Sequence, residues 1–193
     1  MEKRKKGNKK GPKTTLIVCE GYTEENMAIR EKNRRKISAI TILNMKGASP
    51  IEIIETAKRK FFEDGGYDKV FCIFDRDNHG SFTKALQEVQ NLAGQKRKKD
   101  KIPVIAIVSN PCIEIWIMCH FELPQSTYCG SAKNVKSALK RYLPGYDEND
   151  SAVFRIIEIK QQQAIKNAKA LIKLKNDPLQ KPFTDVHRFL ELL

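Results

Sequence analysis

Three acidic residues stand at the ends of two apolar segments and could together hold a cation. Glu20 follows the run TTLIVC, Asp75 ends the run KVFCIFD, and Asp77 comes two positions later. Side chains two residues apart share a face, so Asp75 and Asp77 are predicted to bind one Mg²⁺, with Mn²⁺ as an alternative. Glu20 is predicted to be a shared ligand or a general acid–base. The chemistry that this grouping predicts is metal-assisted cleavage of a phosphodiester.

Further residues near these acids are weaker candidates. Glu24 lies one helical turn beyond Glu20, and Glu114 lies in the segment SNPCIEIWIMCHFE, so each could add a carboxylate ligand. The candidates for catalysis or phosphate contact are Arg76, His79 and Asn110. In the alternative interpretation of this segment, Glu114 has no metal role, Asn110 only shapes a turn, and His120 only packs.

The acids also have a purely structural interpretation. Glu20 and Glu24 could be acids at a helix N-terminus, and Asp75 and Asp77 could cap the helix predicted at 81–93. Two buried strands that each end in an acid favour the chemical interpretation, because ligands of open parallel sheets bind at the carboxyl ends of the strands.

The elements that must position these residues follow an alternating pattern. Apolar runs predict four strands, at 14–20, 38–44, 69–75 and 102–109, and three intervening helices, at 23–36, 50–63 and 81–93. Such alternation predicts an α/β fold, a Rossmann-like and mostly parallel four-stranded sheet flanked by helices.

The remainder of the chain is predicted to be helical. Segment CIEIWIMCHFEL at 112–123 fits both the strand and the helix period, although the preceding Pro111 favours a helix start. Helices are predicted at 132–143, at 151–175 and over FTDVHRFLELL at 183–193. We expect a single domain over 14–193, with a core at 14–122 and a helical C-terminal part at 131–193.

The charge balance predicts an anionic partner. The 193 residues carry 36 Lys and Arg against 23 Asp and Glu, a net charge of +13, which favours nucleic acid or an anionic membrane surface. Two basic clusters are candidates for nucleic-acid binding, against the alternative of solvated lysine faces. They are Lys96, Arg97, Lys98 and Lys99, and Lys133, Lys136, Lys140 and Arg141.

Other features bear on the compartment. Residues 1–13 carry seven Lys or Arg and are predicted to be a disordered basic tail. No apolar run is long enough to span a bilayer or to serve as a secretory signal, so we expect a cytoplasmic protein without membrane contact. The five cysteines contain no CxxC pair, and we expect all of them to be reduced and structural.

Four blocks in order give the chain a family resemblance. They are CEGYTEENM at 19–27, VFCIFDRDNHGSF at 70–82, SNPCIEIWIMCHFE at 109–122 and VHRFLELL at 186–193. In these blocks the chain resembles the RloB family, whose members carry a Toprim-like domain related to nucleases of the overcoming-lysogenisation-defect type. The resemblance spans nearly all of residues 14–193.

The resemblance implies a Toprim fold and a function. In that fold a glutamate after the first strand works with a DxD motif to bind Mg²⁺, which here means Glu20, Asp75 and Asp77, and the EGxTE signature adds Glu24. RloB-like proteins are typical of anti-phage defence, beside restriction-modification or abortive-infection genes. The implied partner is an ATPase.

These observations lead to one main hypothesis and two alternatives. The main hypothesis is a metal-dependent nuclease acting on DNA or RNA, with tRNA among the targets. The alternatives are a non-catalytic nucleic-acid-binding or sensor subunit and a small-molecule phosphotransfer enzyme. A topoisomerase or primase is not expected, because accessory domains are not evident. The sequence leaves a homo-oligomeric state open.

Overall fold

The computed structural model describes residues 14–77, 79–97 and 100–193. The predicted basic tail at 1–13 and two residues of the first basic cluster, Lys98 and Lys99, lie outside these ranges. The strands are β1 (Thr15–Cys19), β2 (Ile40–Asn44), β3 (Lys69–Asp75), β4 (Val104–Asn110) and β5 (Phe183–Thr184). The helices are α1 (Tyr22–Arg34), α2 (Pro50–Glu63), α3 (Phe82–Ala93), α4 (Glu114–Cys119), α5 (Ala132–Leu139), α6 (Val153–Ile157), α7 (Gln161–Lys175) and α8 (Val186–Leu192), with a 3₁₀ turn at Glu158–Lys160.

The strands form one sheet in the order β2-β1-β3-β4-β5. The first four are parallel, and β5 pairs antiparallel with the end of β4. The predicted α/β class and mostly parallel sheet are confirmed, with helices on both faces and a helical C-terminal part. The fifth strand was not predicted, because two residues are too few to set up a strand period.

Both faces of the sheet are covered, as continuous apolar strands require. On β1, Leu16 and Val18 face a core shared with α2 and α3. Ile17 and Cys19 face the opposite core, which α1 and the helices from α4 to α8 complete. The side chains of β1 are buried on both faces because a helical layer covers each of them.

The helical boundaries change by one or two residues in α1 and α3 and by more in the C-terminal part. Segment 112–123 is a helix only over α4, and the helix predicted at 132–143 ends at Leu139. The helix predicted at 151–175 is divided by the 3₁₀ turn. The helix predicted at 183–193 begins at Val186, after β5. No helix among the described residues is both long and apolar enough to cross a membrane.

All five cysteines are buried, and none is joined to another in a disulfide. Their burial agrees with a structural role, and their reduced state stays a prediction. Burial raises the pKa of the Cys72 thiol far above its ordinary value, so this cysteine stays protonated and packs as a small apolar side chain.

One aromatic contact fastens α8 to the sheet and gives a stability prediction. Phe189 is fully buried and meets Phe71 of β3 edge to face, with ring centroids 5.1 Å apart. Phe189→Ala should lower the free energy of unfolding by about 3–5 kcal/mol, because it opens a cavity in the core. Urea denaturation measures this. Leu192→Ala, at a position 38% exposed, is the control, and an equal loss in both variants would contradict the prediction.

Candidate active site

The strand order creates a crevice at the carboxyl ends of β1 and β3. The chain leaves β1 toward β2 on one side and later returns to β3 on the other side. Neighbouring parallel strands whose connections diverge in this way form a topological switch point, where α/β sheets bind ligands. Glu20 and Asp75 lie at this point, directly after β1 and at the last position of β3.

Hydrogen bonds to main-chain N–H groups hold these two acids in place. The N–H of Asp75 donates to Oε2 of Glu20 at 3.0 Å. The N–H of Ile113, just before α4, donates to Oδ2 of Asp75 at 3.0 Å. The ends of β1, β3 and β4 are thereby linked through two carboxylates.

Two further acids, Glu24 and Glu114, form a cluster with Glu20 and Asp75 and are buried. They are only 3% and 1% exposed. Oε2 of Glu24 accepts from the N–H of Gly21 at 3.2 Å, and Oε1 of Glu114 accepts from the hydroxyl of Tyr146 at 2.8 Å. A Cβ at Gly21 would lie 3.3 Å from Oε2 of Glu24, so the absence of a side chain there lets the acid fold back onto the turn.

Asp77 lies at the rim rather than in the interior. Its side chain is exposed, and its backbone is left-handed with φ of 31°, a conformation that Asp tolerates better than most residues. Its N–H donates to the carbonyl of Pro111 at 3.0 Å. Asp75 and Asp77 therefore reach the same cavity across a turn, not along an extended segment.

The acids line one cavity of about 430 Å³. Its walls come from the β1–α1 turn, the β2–α2 loop, the end of β3, the start of α4, α5 and the loop at 144–150. The lining residues are Glu20, Gly21, Tyr22, Thr23, Glu24, Lys46, Gly47, Asp75, Asp77, Cys112, Ile113, Glu114, Ala132, Lys136, Glu148 and Asn149. The volume is in the range typical of small-molecule and substrate sites.

Burial and the repulsion between neighbouring carboxylates raise the pKa values of Glu20, Glu24 and Asp75. Desolvation by burial, with the nearby charges of Glu20 and Glu114, raises the pKa of Glu24 to about 8. The pKa of Asp75 is also well above its ordinary value, because of burial and the charges of Glu24, Glu20 and Glu114. Burial raises the pKa of Glu20. Concentrated negative charge of this kind attracts a cation.

One comparison with known proteins gives a match over nearly the whole chain. A family model described as RloB-like protein matches residues 15–193. The chain belongs to the RloB-like family. A search of the curated proteins and a search of the solved structures found no significant match.

The cavity of this RloB-like protein offers carboxylate oxygens, the ligand type that Mg²⁺ and Mn²⁺ take. Within residues 14–77, 79–97 and 100–193, no three His, Cys, Asp or Glu side chains form a group that could hold a metal ion as they stand. One oxygen of each of four acids, Glu20, Glu24, Asp75 and Glu114, is in a hydrogen bond. The chemistry of the carboxylate oxygens fits a hard cation, but in the described part of the chain their side chains would have to rearrange to bind one together.

His79 and Lys136 place nitrogen groups next to two of the acids. Nε2 of His79 lies 3.5 Å from Oε1 of Glu20, which places the histidine beside the candidate acid–base. Lys136, predicted from the second basic cluster, extends from α5, and its Nζ lies 3.7 Å from Oε1 of Glu114.

The other two candidates for phosphate contact hold backbone instead. Nη1 of Arg76 donates to the carbonyl of Leu179 at 2.9 Å. Asn110 is fully buried, and its Nδ2 donates to the carbonyls of Pro178 at 2.9 Å and Gln180 at 3.3 Å. Both residues therefore fasten the loop before β5 to the carboxyl end of the sheet.

The predicted basic clusters separate in space. Lys96 and Arg97 are exposed in the linker between α3 and β4, which lies at the amino ends of the strands, opposite the acids. In the second cluster, Lys133 and Lys140 are exposed, and Arg141 lies over the rings of Tyr128 and Tyr142. Of the basic candidates within the described ranges, Lys136 alone lines the acidic cavity.

His120 has the structural role that the alternative interpretation gave it. It is 3% exposed, and its Nδ1 donates to the carbonyl of Trp116 at 3.0 Å. Burial lowers its pKa to about 4, so it is neutral in the core of this family member.

Several residues at the cavity were not predicted. Glu148 of the loop at 144–150 and Lys46 of the β2–α2 loop, with a left-handed φ of 51°, line the cavity. Tyr146, in the loop at 144–150, is the hydrogen-bond donor to Glu114. Loops carry no hydrophobic period that would indicate their direction. A signal for Lys46 did exist, because a loop after β2 must lie at the same end of the sheet as Glu20.

Proposed function

We propose that this RloB-like chain is a metal-dependent nuclease of the Toprim type that cleaves phosphodiester bonds of DNA or RNA, tRNA included. The observation that carries the proposal is the convergence of Glu20, Glu24, Asp75, Asp77 and Glu114 on one cavity at the switch point of the sheet. A site with several carboxylates is typical of enzymes that use divalent cations to transfer or hydrolyse phosphates.

In this proposal the acids divide the work. Glu20, Asp75 and Asp77 would hold Mg²⁺ or Mn²⁺, with Glu24 and Glu114 as further ligands. The ion, when bound, neutralises charge on the scissile phosphate and lowers the pKa of a water. Glu20 has its carboxylate fixed by the Asp75 N–H and has His79 beside it, so it is placed to take a proton from the attacking water.

The proposal extends to the biological setting. We propose that the chain is an effector of anti-phage defence by abortive infection in the cytoplasm, held inactive until an ATPase partner signals infection. The membership of the RloB-like family supports this setting. Co-expression with candidate ATPases encoded beside it, followed by co-purification, tests the partner.

Metal-dependent cleavage tests the chemistry. Purified protein should cut labelled DNA or RNA in the presence of Mg²⁺ or Mn²⁺ and should stop when EDTA removes the ion. Glu20→Gln should remove cutting while leaving the circular dichroism spectrum unchanged, because Gln can still accept from the N–H of Asp75. Salt-dependent binding without cutting in any metal would instead indicate the non-catalytic subunit.

A further inference from the structure

The loop at 144–150 is fastened across one side of the acidic cavity. The hydroxyl of Thr23 donates to the carbonyl of Glu148 at 3.3 Å, and Nδ2 of Asn26 donates to the carbonyl of Asn149 at 3.4 Å. Both bonds join the loop to the first turns of α1. These two bonds fix the main chain at Glu148 and Asn149, and both residues line the cavity.

Lys136 lies between a buried acid and an exposed one. Its Nζ is 3.7 Å from Oε1 of Glu114 and 2.5 Å from Oε2 of Glu148. The side chain of Glu114 is 2% exposed, whereas that of Glu148 is 54% exposed. The two ion pairs of this lysine therefore differ in how easily water or a ligand can reach them.

The two acids also differ in what else holds them. Glu114 accepts a hydrogen bond from the hydroxyl of Tyr146 at 2.8 Å. Among the residues that the structure describes, Lys136 is the one hydrogen-bond partner of the Glu148 carboxylate. Exposed ion pairs contribute about 1 kcal/mol or less, so Glu148 can be displaced at little cost in stability.

A phosphate oxygen is the chemical equivalent of the carboxylate oxygen that Glu148 presents. Both are anionic acceptors of a charge-assisted hydrogen bond from an ammonium group. We propose that Lys136 binds a phosphate of the nucleic-acid substrate, and that Glu148 occupies the place of that phosphate until substrate binds. This inference rests on the proposed function and names the residue through which the substrate enters its site.

Lys136 lies among the acids of the cavity, and the other lysine of the lining, Lys46, comes from the separate β2–α2 loop. A polyanion that approaches Glu20, Asp75 and Glu114 is repelled unless a cation receives it. Lys136 lines the same cavity as these acids, so a phosphate bound to it is beside the residues proposed for cleavage. Glu148 lowers the affinity for any anion that cannot displace it.

Binding measurements separate this exchange from a general effect of charge. A fluorescein-labelled 20-nucleotide DNA is titrated in EDTA and again with Ca²⁺, and anisotropy gives the dissociation constant. Glu148→Gln should tighten binding about threefold to tenfold, because the lysine is freed. The matched control is Asp147→Asn, which removes one charge from the same loop. The substituted side chain keeps an oxygen that accepts from the N–H of Asn149, so the loop is preserved. This control should change the dissociation constant less than about twofold.

A double-mutant cycle makes the inference falsifiable. Lys136→Gln should weaken binding and reduce the slope of log affinity against log salt by about one, as expected for one lost phosphate contact. On that background Glu148→Gln should have no further effect. Additive effects, or equal effects of Glu148→Gln and Asp147→Asn, would overturn the exchange. Should Lys136→Gln fail to fold, the comparison of Glu148→Gln with Asp147→Asn decides alone.

The outcome also separates the inference from the proposed function. A wild-type protein that cuts nucleic acid but gives an additive cycle overturns the role of Glu148 and leaves the nuclease proposal standing. A wild-type protein that neither binds the DNA in either buffer nor cuts DNA or RNA with Mg²⁺ or Mn²⁺ overturns both.

Discussion

Asp75→Asn should lower the rate of metal-dependent cleavage by at least about a hundredfold while leaving the protein folded. The substitution removes a carboxylate that interacts with the charges of three other acids of the cavity, and it keeps an oxygen that can accept from the N–H of Ile113. Single-turnover cleavage of a labelled substrate at saturating Mg²⁺ measures the loss.

The stability of the same variant separates a catalytic role from a structural one. Burial and the charges of Glu24, Glu20 and Glu114 raise the pKa of Asp75, so its ionised form is unfavourable in the metal-free protein. Asp75→Asn should therefore unfold in EDTA at the same temperature as the wild type or a higher one. Asp64→Asn, at the exposed end of α2 away from the cavity, is the control for both assays. Wild-type cleavage by Asp75→Asn would place the chemistry elsewhere.

Glu24 should make the metal-free protein less stable as the pH rises. Its pKa is about 8 in the folded protein against 4.5 for an ordinary glutamate, so between these values the folded state binds more protons than the unfolded state. Stability from this group is therefore complete below about pH 4.5 and falls toward pH 8, by at most about 1.4 kcal/mol per pH unit. Urea denaturation in EDTA at a series of pH values measures the slope.

Glu24→Gln should flatten that slope and raise stability at pH 8. The Gln side chain can still accept from the N–H of Gly21, so the turn before α1 is kept. Glu25→Gln, one position further along α1, should leave the slope as it is, because that carboxylate bonds instead with Asn44 at the end of β2. Mg²⁺ should stabilise the wild type more at pH 8 than at pH 5. A slope unchanged by Glu24→Gln would contradict the assignment.

The strands and their terminal acids could be predicted because buried parallel strands have a strong signature. TTLIVC and KVFCIFD are apolar on both faces, and the acid that ends each run marks its carboxyl end. Carboxyl ends of parallel strands lie at one edge of the sheet, so the fold class placed Glu20 and Asp75 at the same edge. The structure adds that β1 and β3 are neighbours, which brings the two acids together.

The wall of the cavity that comes from the C-terminal half could not be predicted in the same way. Tyr146 and Glu148 reach the acids only because α5 and α6 set the path of the loop between them, and helix packing over such distances leaves no trace in local sequence. The turn at Asp77 is a similar case. Its backbone is left-handed, and its N–H donates to the carbonyl of Pro111, a partner far away in sequence.

The position of the first basic cluster relative to the acids was also predictable. Lys96 and Arg97 lie in a linker that leads from a helix into a parallel strand, and such a linker lies at the amino end of the sheet. The predicted alternation of strands and helices already contained this information. The contact of Lys96 and Arg97 with nucleic acid stays a prediction, at a place separate from the acidic cavity. Lys136 belongs to a segment that follows β4 and α4, and so could return to the carboxyl end.

The pairing of β5 with β4 has a consequence for the order in which the protein is made. The end of β4 pairs with Phe183 of β5, and Phe71 of β3 packs against Phe189 of α8. The ribosome adds Phe183 and Phe189 long after the strands that carry Glu20 and Asp75. Until then a nascent chain exposes an unpaired strand edge and an open core face. Glu20 and Asp75 are therefore translated early, whereas the C-terminal segments that complete the sheet and the core are translated late. A ribosome-bound fragment that ends before β5 and α8 lacks these segments.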